Sequence, residues 1–178
     1  TRAMLARHGF TGPATIFEGE GGFFRAYSFG ESIDAHAMTR ELGRTYSAFG
    51  TAIKPYPCCR FGHGAIDLAI MARQDGIKAN AIASIGVRIY RTDVLTYHNE
   101  PKNPVDAQFN LPYMIAVALL RGRVGLEDFT EEAIRAHDVL DLCGKVAVTD
   151  DPQFTADYPD IYKVELTIDS RDGSRRNY

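Results

Sequence analysis

Segments with the apolar period of a strand and segments with the period of a helix follow one another from residue 51 onward, and this alternation constrains the fold most. Residues 82–91 place alternate apolar side chains on one face, which predicts a half-buried strand. Residues 63–74 repeat apolar side chains at one-turn spacing, which predicts a helix. The same patterns predict a helix over 111–120 and strands over 51–54, 145–149, 162–169 and 174–178. We therefore expect an α+β fold, specifically a two-layer α/β sandwich.

Short helices are predicted for the first 50 residues, because glycines and a proline interrupt each apolar repeat there. Gly9 and Gly43 fit the ends of such helices, and Asp34 fits the start of one. The chain starts at Thr1, not at a methionine, inside a helix pattern, and it stops at Tyr178 inside a strand pattern. We expect it to be part of a longer protein.

Composition excludes several classes of protein. The chain has 178 residues, of which 45% are hydrophobic and 24% charged. A chain of this length and composition can form a hydrophobic core without disulfides or bound metal ions. A net charge of −3 gives no sign of nucleic-acid or membrane partners, and no apolar run has the length of a membrane span. Three cysteines, two of them adjacent, form no disulfide framework, which favours free thiols in the cytoplasm.

Side chains that can bind ligands or transfer protons are concentrated between Lys54 and His63, on a proline-containing loop that leads into a predicted helix. The N–H groups of a helix N-terminus, with the positive charges of Lys54 and Arg60, suit a carboxylate or phosphate. His63 is a candidate for moving protons near neutral pH. The alternative is structural: solvated charges, His63 as a helix cap, and Cys58 and Cys59 as small core residues.

Tyr113 is a second candidate, because it stands at the start of an apolar helix and its phenol can donate a proton. The alternative is a half-buried tyrosine with its hydroxyl at the rim of the core. His98 lies in a polar segment and is expected in solvent. No phosphate-binding glycine motif of a nucleotide site is present.

Several motifs occur in an order that resembles a known family. Residues 54–67 read KPYPCCRFGHGAID and closely resemble KPYPCCRxTHxAIDA, a signature of the MmgE/PrpD family. Residues 106–113, DAQFNLPY, are similar to the family's DAxFSLPYAVA segment. Residues 9–23 are similar to its GFTGP…LEGxxGF stretch, and residues 119–122 and 158–159 also fit. The resemblance covers nearly the whole chain.

The resemblance implies a chemistry. The family includes 2-methylcitrate dehydratase, cis-aconitate decarboxylase and iminodisuccinate epimerase, which act on di- and tricarboxylates. Their shared step is removal of a proton beside a carboxylate, and positive groups stabilise the anion that forms. Dehydration or epimerisation then completes the reaction. The family requires neither an iron–sulfur cluster nor a nucleotide, and the resemblance implies a cytoplasmic homodimer or other homo-oligomer. We expect no metal site either, because the histidines of this chain lie apart without ligand spacing.

The resemblance also implies a domain assignment. Residues 1–45 would be the end of an all-helical domain, and residues 46–178 an α+β lid domain truncated at its C-terminus. The family's active site lies in the cleft between these domains, and part of its catalytic set is on helical segments outside this chain. We expect the chain alone to be inactive, with the missing helical domain as its partner. The alternative is a non-catalytic, lid-like module that binds an anion or a partner chain through exposed phenylalanines.

Site residues follow from the matching motifs. Lys54 matches the lid lysine that faces the site, which implies that it holds a substrate carboxylate, with Arg60 nearby. Tyr113 matches a candidate proton donor, and His63 matches the motif histidine, which favours loop ordering over a role as the base. Cys59, assigned to the substrate site, stands where the decarboxylase branch has a histidine, which disfavours decarboxylation. Gly62 replaces the usual threonine, and we expect a looser helix N-cap.

Overall fold

Helices and a four-stranded mixed sheet make up the protein, and this confirms the α+β fold class. The computed structural model describes residues 2–29 and 31–178; Thr1, where the first helix pattern begins, and Gly30 lie outside the described residues. The chain divides into two compact units, Thr1–Ala52 and Ile53–Tyr178.

The first unit consists of short helices. These are α1 (Arg2–Arg7), α2 (Phe23–Tyr27) and 3₁₀ turns at Ala35–Met38 and Ser47–Gly50. As predicted, Asp34 starts a helical segment, because its carboxylate accepts a hydrogen bond from the backbone N–H of His36 at 3.0 Å. Within residues 2–29 and 31–52, no hydrophobic side chain is buried, and Phe29 is 98% exposed. This unit therefore has no apolar core of its own.

The second unit contains the sheet and the longer helices. Its helices are α3 (His63–Gln74), α4 (Pro104–Ala107), α5 (Leu111–Arg121), α6 (His137–Cys143) and α7 (Pro152–Asp157). Its strands are β1 (Ile82–Ile89), β2 (Val146–Asp150), β3 (Val164–Ser170) and β4 (Arg175–Asn177). The helix predicted over residues 63–74 is confirmed with the same bounds.

The sheet has the strand order β2-β1-β3-β4. Strand β1 pairs in parallel with β2 and antiparallel with β3, and β3 pairs antiparallel with β4 across a turn at Asp172-Gly173. The predicted face of β1 is confirmed, because Ile85, Val87 and Ile89 are all buried. This periodicity directs one face of the strand into the core.

Helices α3 and α5 pack against each other, α3 also contacts β3, and α5 also contacts β2 and α6. Helix α5 is apolar on all sides, so it runs through the interior, with nine of its eleven residues buried. Asn110 begins it with a side-chain cap, and Gly122 ends it in the left-handed region at φ 71°. The core of the protein therefore centres on α5.

One predicted strand is wrong. Residues 51–54 form no strand, and all four are exposed. Pro55 follows directly and has no N–H to continue a ladder, so an apolar pair alone does not make a strand there. None of the helices in the described part of the chain is long and apolar enough to cross a membrane.

Candidate functional site

The loop from Lys54 to Gly62 leads into α3 and is fixed at its centre. Pro55 and Pro57 restrict its backbone, and the N–H of Cys59 donates to the carbonyl of Gln108 at 2.7 Å. Cys58 and Cys59 are buried, so the middle of the loop is anchored in the core. A loop held in this way keeps the residues on either side in defined positions.

Lys54 and His63 converge on one backbone atom, the carbonyl oxygen of Cys58. The ammonium of Lys54 donates to this oxygen at 3.2 Å, and Nε2 of His63 lies 3.4 Å from it. Lys54 is exposed, whereas His63 is only 9% exposed. The structure thus brings together two of the predicted site residues, Lys54 in solvent and His63 in the interior.

The electrostatics of His63 follow from its surroundings. Its pKa lies below the ordinary value, chiefly because burial disfavours the imidazolium, and the nearby charges of Lys54 and Arg60 act in the same direction. The hydrogen bond to the Cys58 carbonyl and the carboxylate of Asp67 act in the opposite direction. A neutral imidazole leaves the ammonium of Lys54 as the charged group at the Cys58 carbonyl.

Arg60 is exposed, and its guanidinium carbon lies 4.6 Å from the centre of the Tyr162 ring. This is a cation–π contact, which orients the guanidinium without using its N–H donors. Within residues 2–29 and 31–178, the guanidinium of Arg60 has no carboxylate partner. Arg60 therefore has N–H donors available for an anion.

The two loop cysteines behave as core residues. Burial raises the pKa of the Cys58 thiol to about 12, and the neighbouring Cys59 adds to this effect. Cys59 is 6% exposed, so its assignment to the substrate site stays a prediction. Neither thiol projects into solvent as Lys54 and Arg60 do.

Tyr113 belongs to a different set of contacts. Its side chain is fully buried on α5, and its hydroxyl donates to the backbone carbonyl of Asp128 at 2.5 Å. Burial raises the pKa of Tyr113 to about 12. The carboxylate of Asp128 is paired with Arg121 and accepts the N–H of Gly125 at 2.7 Å. The structure does not bring the Tyr113 hydroxyl into the hydrogen bonds of Lys54 and His63.

Gly62 precedes α3 and leaves it without a side-chain cap, as the replacement of threonine predicts. It is buried, and a Cβ atom at this position would lie 2.6 Å from the sulfur of Met114 on α5. The space that a side chain at residue 62 would fill is therefore occupied by Met114. A capping side chain at residue 62 would therefore compete with the Met114 side chain for the same space.

The solvent exposure predicted for His98 is wrong in part, because its side chain is 37% exposed and bonded at both ring nitrogens. Nε2 lies 3.1 Å from the carboxylate of Asp106, and Nδ1 lies 3.0 Å from the amide nitrogen of Asn110. Asn110 is fully buried, and its side-chain Oδ1 accepts the backbone N–H of Tyr113 at 2.9 Å. Asp106 and Asn110 follow His98 by eight and twelve positions, so the path of the folded chain brings these three side chains together.

Two further contacts at the loop were missed from the sequence. The hydroxyl of Tyr56 donates to Asp67 on α3 at 2.6 Å, and Tyr162 lies under Arg60. Asp67 follows His63 by one helical turn, a spacing that signals a shared face. Nothing local to Tyr162 indicates its partner. Among residues 2–29 and 31–178, no three His, Cys, Asp or Glu side chains gather as a metal site.

A sequence model of the MmgE/PrpD C-terminal domain matches residues 56–177. The chain belongs to the MmgE/PrpD family. The matched segment includes most of the loop, all of α3 and the whole sheet. The resemblance in the loop and α5 motifs is thereby confirmed at the level of the family.

Relatives of known name match parts of the chain. The 2-methylcitrate dehydratase of Salmonella typhimurium is 38% identical over 77 residues, 41% of this chain and 16% of that protein. The 2-methylcitrate dehydratase of Cupriavidus necator is 34% identical over 119 residues, 63% of this chain and 23% of that protein. A cis-aconitate decarboxylase of Aspergillus terreus is 24% identical over 189 residues, covering 96% of this chain and 38% of that protein. The chain thus spans well under half the length of these relatives.

Proposed function

We propose that this chain provides the carboxylate-binding side of a MmgE/PrpD active site that dehydrates or epimerises a di- or tricarboxylate. In this proposal, residues 46–178 form a two-layer α/β lid, and residues 1–45 are the end of a helical domain. The base that removes the proton belongs to that helical domain. Two relatives that match the chain are 2-methylcitrate dehydratases, and this supports a hydroxylated tricarboxylate as substrate.

The observation that carries the proposal is the arrangement of Lys54 and Arg60 about the buried Cys58–Cys59 segment. Both cations are exposed on a loop whose centre is anchored in the core, and neither is paired with a carboxylate within residues 2–29 and 31–178. Among the residues that the structure describes, the ammonium of Lys54 is held by one neutral carbonyl, that of Cys58. An ammonium has three N–H donors, so a substrate carboxylate can accept from the other two and form a stronger, charge-assisted hydrogen bond.

These residues would act on the reaction through charge. Loss of a proton from the carbon beside a carboxylate places negative charge on that carboxylate, which becomes an aci-carboxylate. Lys54 stabilises this charge more strongly than it stabilises the substrate, and this difference lowers the barrier. In dehydration, the electron pair of the broken C–H bond forms the double bond, and the β-hydroxyl leaves with a proton as water.

His63 and Tyr113 do not bind the carboxylate in this proposal. His63 is neutral and largely buried, so we assign it to the order of the loop, and its proton-transfer role stays a prediction. Tyr113 would first have to release the carbonyl of Asp128 before donating a proton, so its role as a proton donor also stays a prediction.

The test uses the 178-residue chain itself with citrate as probe. We expect citrate to shift the NMR signals of Lys54, Arg60 and His63, while 2-methylcitrate, citrate and iminodisuccinate are not turned over. Turnover at a full enzymatic rate by this chain alone would contradict the assignment of the base to another domain. Citrate shifts confined to other residues would contradict the site.

The second candidate is a partner-binding module without catalysis. The exposed phenylalanines of the first unit favour it, among them Phe10 at 71%, Phe23 at 51% and Phe29 at 98% exposure. Self-association through these residues would show as a larger mass in light scattering. A monomer that binds citrate at Lys54 favours the first candidate.

A further inference from the structure

The hydroxyl of Tyr56 reaches across from the loop to α3. It donates to Oδ1 of Asp67 at 2.6 Å, a distance typical of a charge-assisted hydrogen bond from a hydroxyl to a carboxylate. The ring of Tyr56 is half-buried, while Asp67 is exposed on α3. This bond ties the segment between Lys54 and Cys58 to the first turns of the helix.

The same tyrosine also contacts His63. The rings of Tyr56 and His63 meet edge to face, with centroids 5.2 Å apart and an interplanar angle of 87°. His63 and Asp67 are four residues apart on α3, so they lie on one face of the helix. One side chain of the loop therefore packs against His63 and is bonded to the residue one turn beyond it.

We propose that Tyr56 and Asp67 are positioning residues, which clamp the loop to α3 and thereby hold the ring of His63 and the ammonium of Lys54 at the Cys58 carbonyl. This inference rests on the proposed function of Lys54. Neither side chain touches the reacting atoms in this account. Both act by fixing the geometry of the residues that bind the carboxylate.

The chemistry of the pair suits a permanent clamp. Burial and the bond to Asp67 raise the pKa of Tyr56 to about 12, so the phenol stays a donor at every physiological pH. The clamp also keeps water from one face of the His63 ring. Burial lowers the pKa of His63 and is a larger cause than the hydrogen bond to the Cys58 carbonyl, which raises it. Release of the clamp should hydrate the ring and, even if that hydrogen bond is lost, raise the pKa.

The negative charge of Asp67 also raises the pKa of His63. The experiment must therefore distinguish the effect of this charge from the effect of the hydrogen bond to Tyr56. Asp67→Asn and Asp67→Leu remove the same charge, but only asparagine keeps an oxygen that accepts the Tyr56 hydroxyl. Asp67 is exposed, so both variants should fold. Tyr97→Phe is the matched control, because the Tyr97 hydroxyl donates to Asp150 at 3.4 Å elsewhere in the unit.

The measurement is an NMR titration of the five histidines in the 178-residue chain, with NOEs between the rings of Tyr56 and His63. We expect a higher His63 pKa and weaker NOEs in Asp67→Leu than in Asp67→Asn. Tyr56→Phe should also raise the pKa above the native value, whereas Tyr97→Phe should leave it unchanged.

Equal His63 pKa values and equal NOEs in Asp67→Asn and Asp67→Leu would overturn the clamp. The titration needs no substrate, so this failure is distinct from failure of the proposed function, which would appear as citrate shifts away from Lys54. A purely structural bond would lower the unfolding free energy of Asp67→Leu and leave the His63 pKa at the Asp67→Asn value.

Discussion

Replacement of Gly62 by alanine tests the packing that sets the start of α3. A Cβ at residue 62 would lie 2.6 Å from the Met114 sulfur, and contacts of this kind normally span about 3.5–4.0 Å. The sulfur must therefore move by about 1 Å inside a fully buried environment. Overpacking of this kind costs about 1–3 kcal/mol, while the lost backbone freedom of glycine in the unfolded chain returns about 0.4–1 kcal/mol.

We expect Gly62→Ala to lower the unfolding free energy of the native chain by about 1–2 kcal/mol. In a Met114→Ala background the obstruction is gone, so the same change should raise it by about 0.4–1 kcal/mol. The coupling energy between the two positions is then about 1–3 kcal/mol. Urea unfolding followed by circular dichroism gives each value, with an unchanged m-value as the check on two-state behaviour.

Gly144→Ala is the control, since Gly144 has φ −61° and a Cβ there would meet nothing closer than 3.7 Å. It should stabilise both backgrounds equally, by about 0.4–1 kcal/mol. If Gly62→Ala also changes both backgrounds by the same amount, the steric account of Gly62 is wrong.

Three further predictions concern the cap, the thiols and His63. Asn110→Ala removes the cap on α5 and the hydrogen bond to the His98 carbonyl at 2.7 Å. It should lower the unfolding free energy, measured by urea unfolding, by about 1–3 kcal/mol. An unchanged unfolding free energy would show that the cap does not stabilise the fold. The three thiols are buried, so a thiol-reactive disulfide reagent should label them slowly in the folded chain at pH 8 and rapidly in urea. Fast labelling of the folded chain would contradict their burial. The pKa of His63 is lowered on folding, so the unfolded chain binds more protons and stability falls as the pH drops below about 6.5. His63→Gln should lose less stability than the native chain between pH 7.5 and 5.5, and an equal loss would refute this.

The local patterns in the sequence predict most of the second unit. Helix α3 and the buried face of β1 follow from apolar spacing, and α5 follows from its long apolar run. These features depend on interactions between residues a few positions apart. The strand predicted over residues 51–54 failed because a strand also needs a partner, and short apolar runs carry no information about partners.

The candidate site was predictable in its residues and not in its contacts. The motif drew attention to Lys54, Arg60 and His63, but the shared acceptor is a backbone carbonyl, which has no sequence signal. The hydroxyl of Tyr113 is bonded to a backbone carbonyl fifteen positions away, and Tyr162 is brought under Arg60 by the path of the chain. Such contacts depend on tertiary packing, which single-residue patterns do not encode.

The affinity of the chain for citrate, with and without the Lys54 charge, tests the central claim most directly. Lys54→Met keeps the length of the side chain and removes the charge, and Lys78→Met does the same at another exposed lysine. Loss of a charge-assisted hydrogen bond, about 1.5–3 kcal/mol, should weaken citrate binding by about 10- to 100-fold in Lys54→Met and leave Lys78→Met unchanged. Equal dissociation constants for the native chain and Lys54→Met would contradict the assignment of Lys54 to the substrate carboxylate.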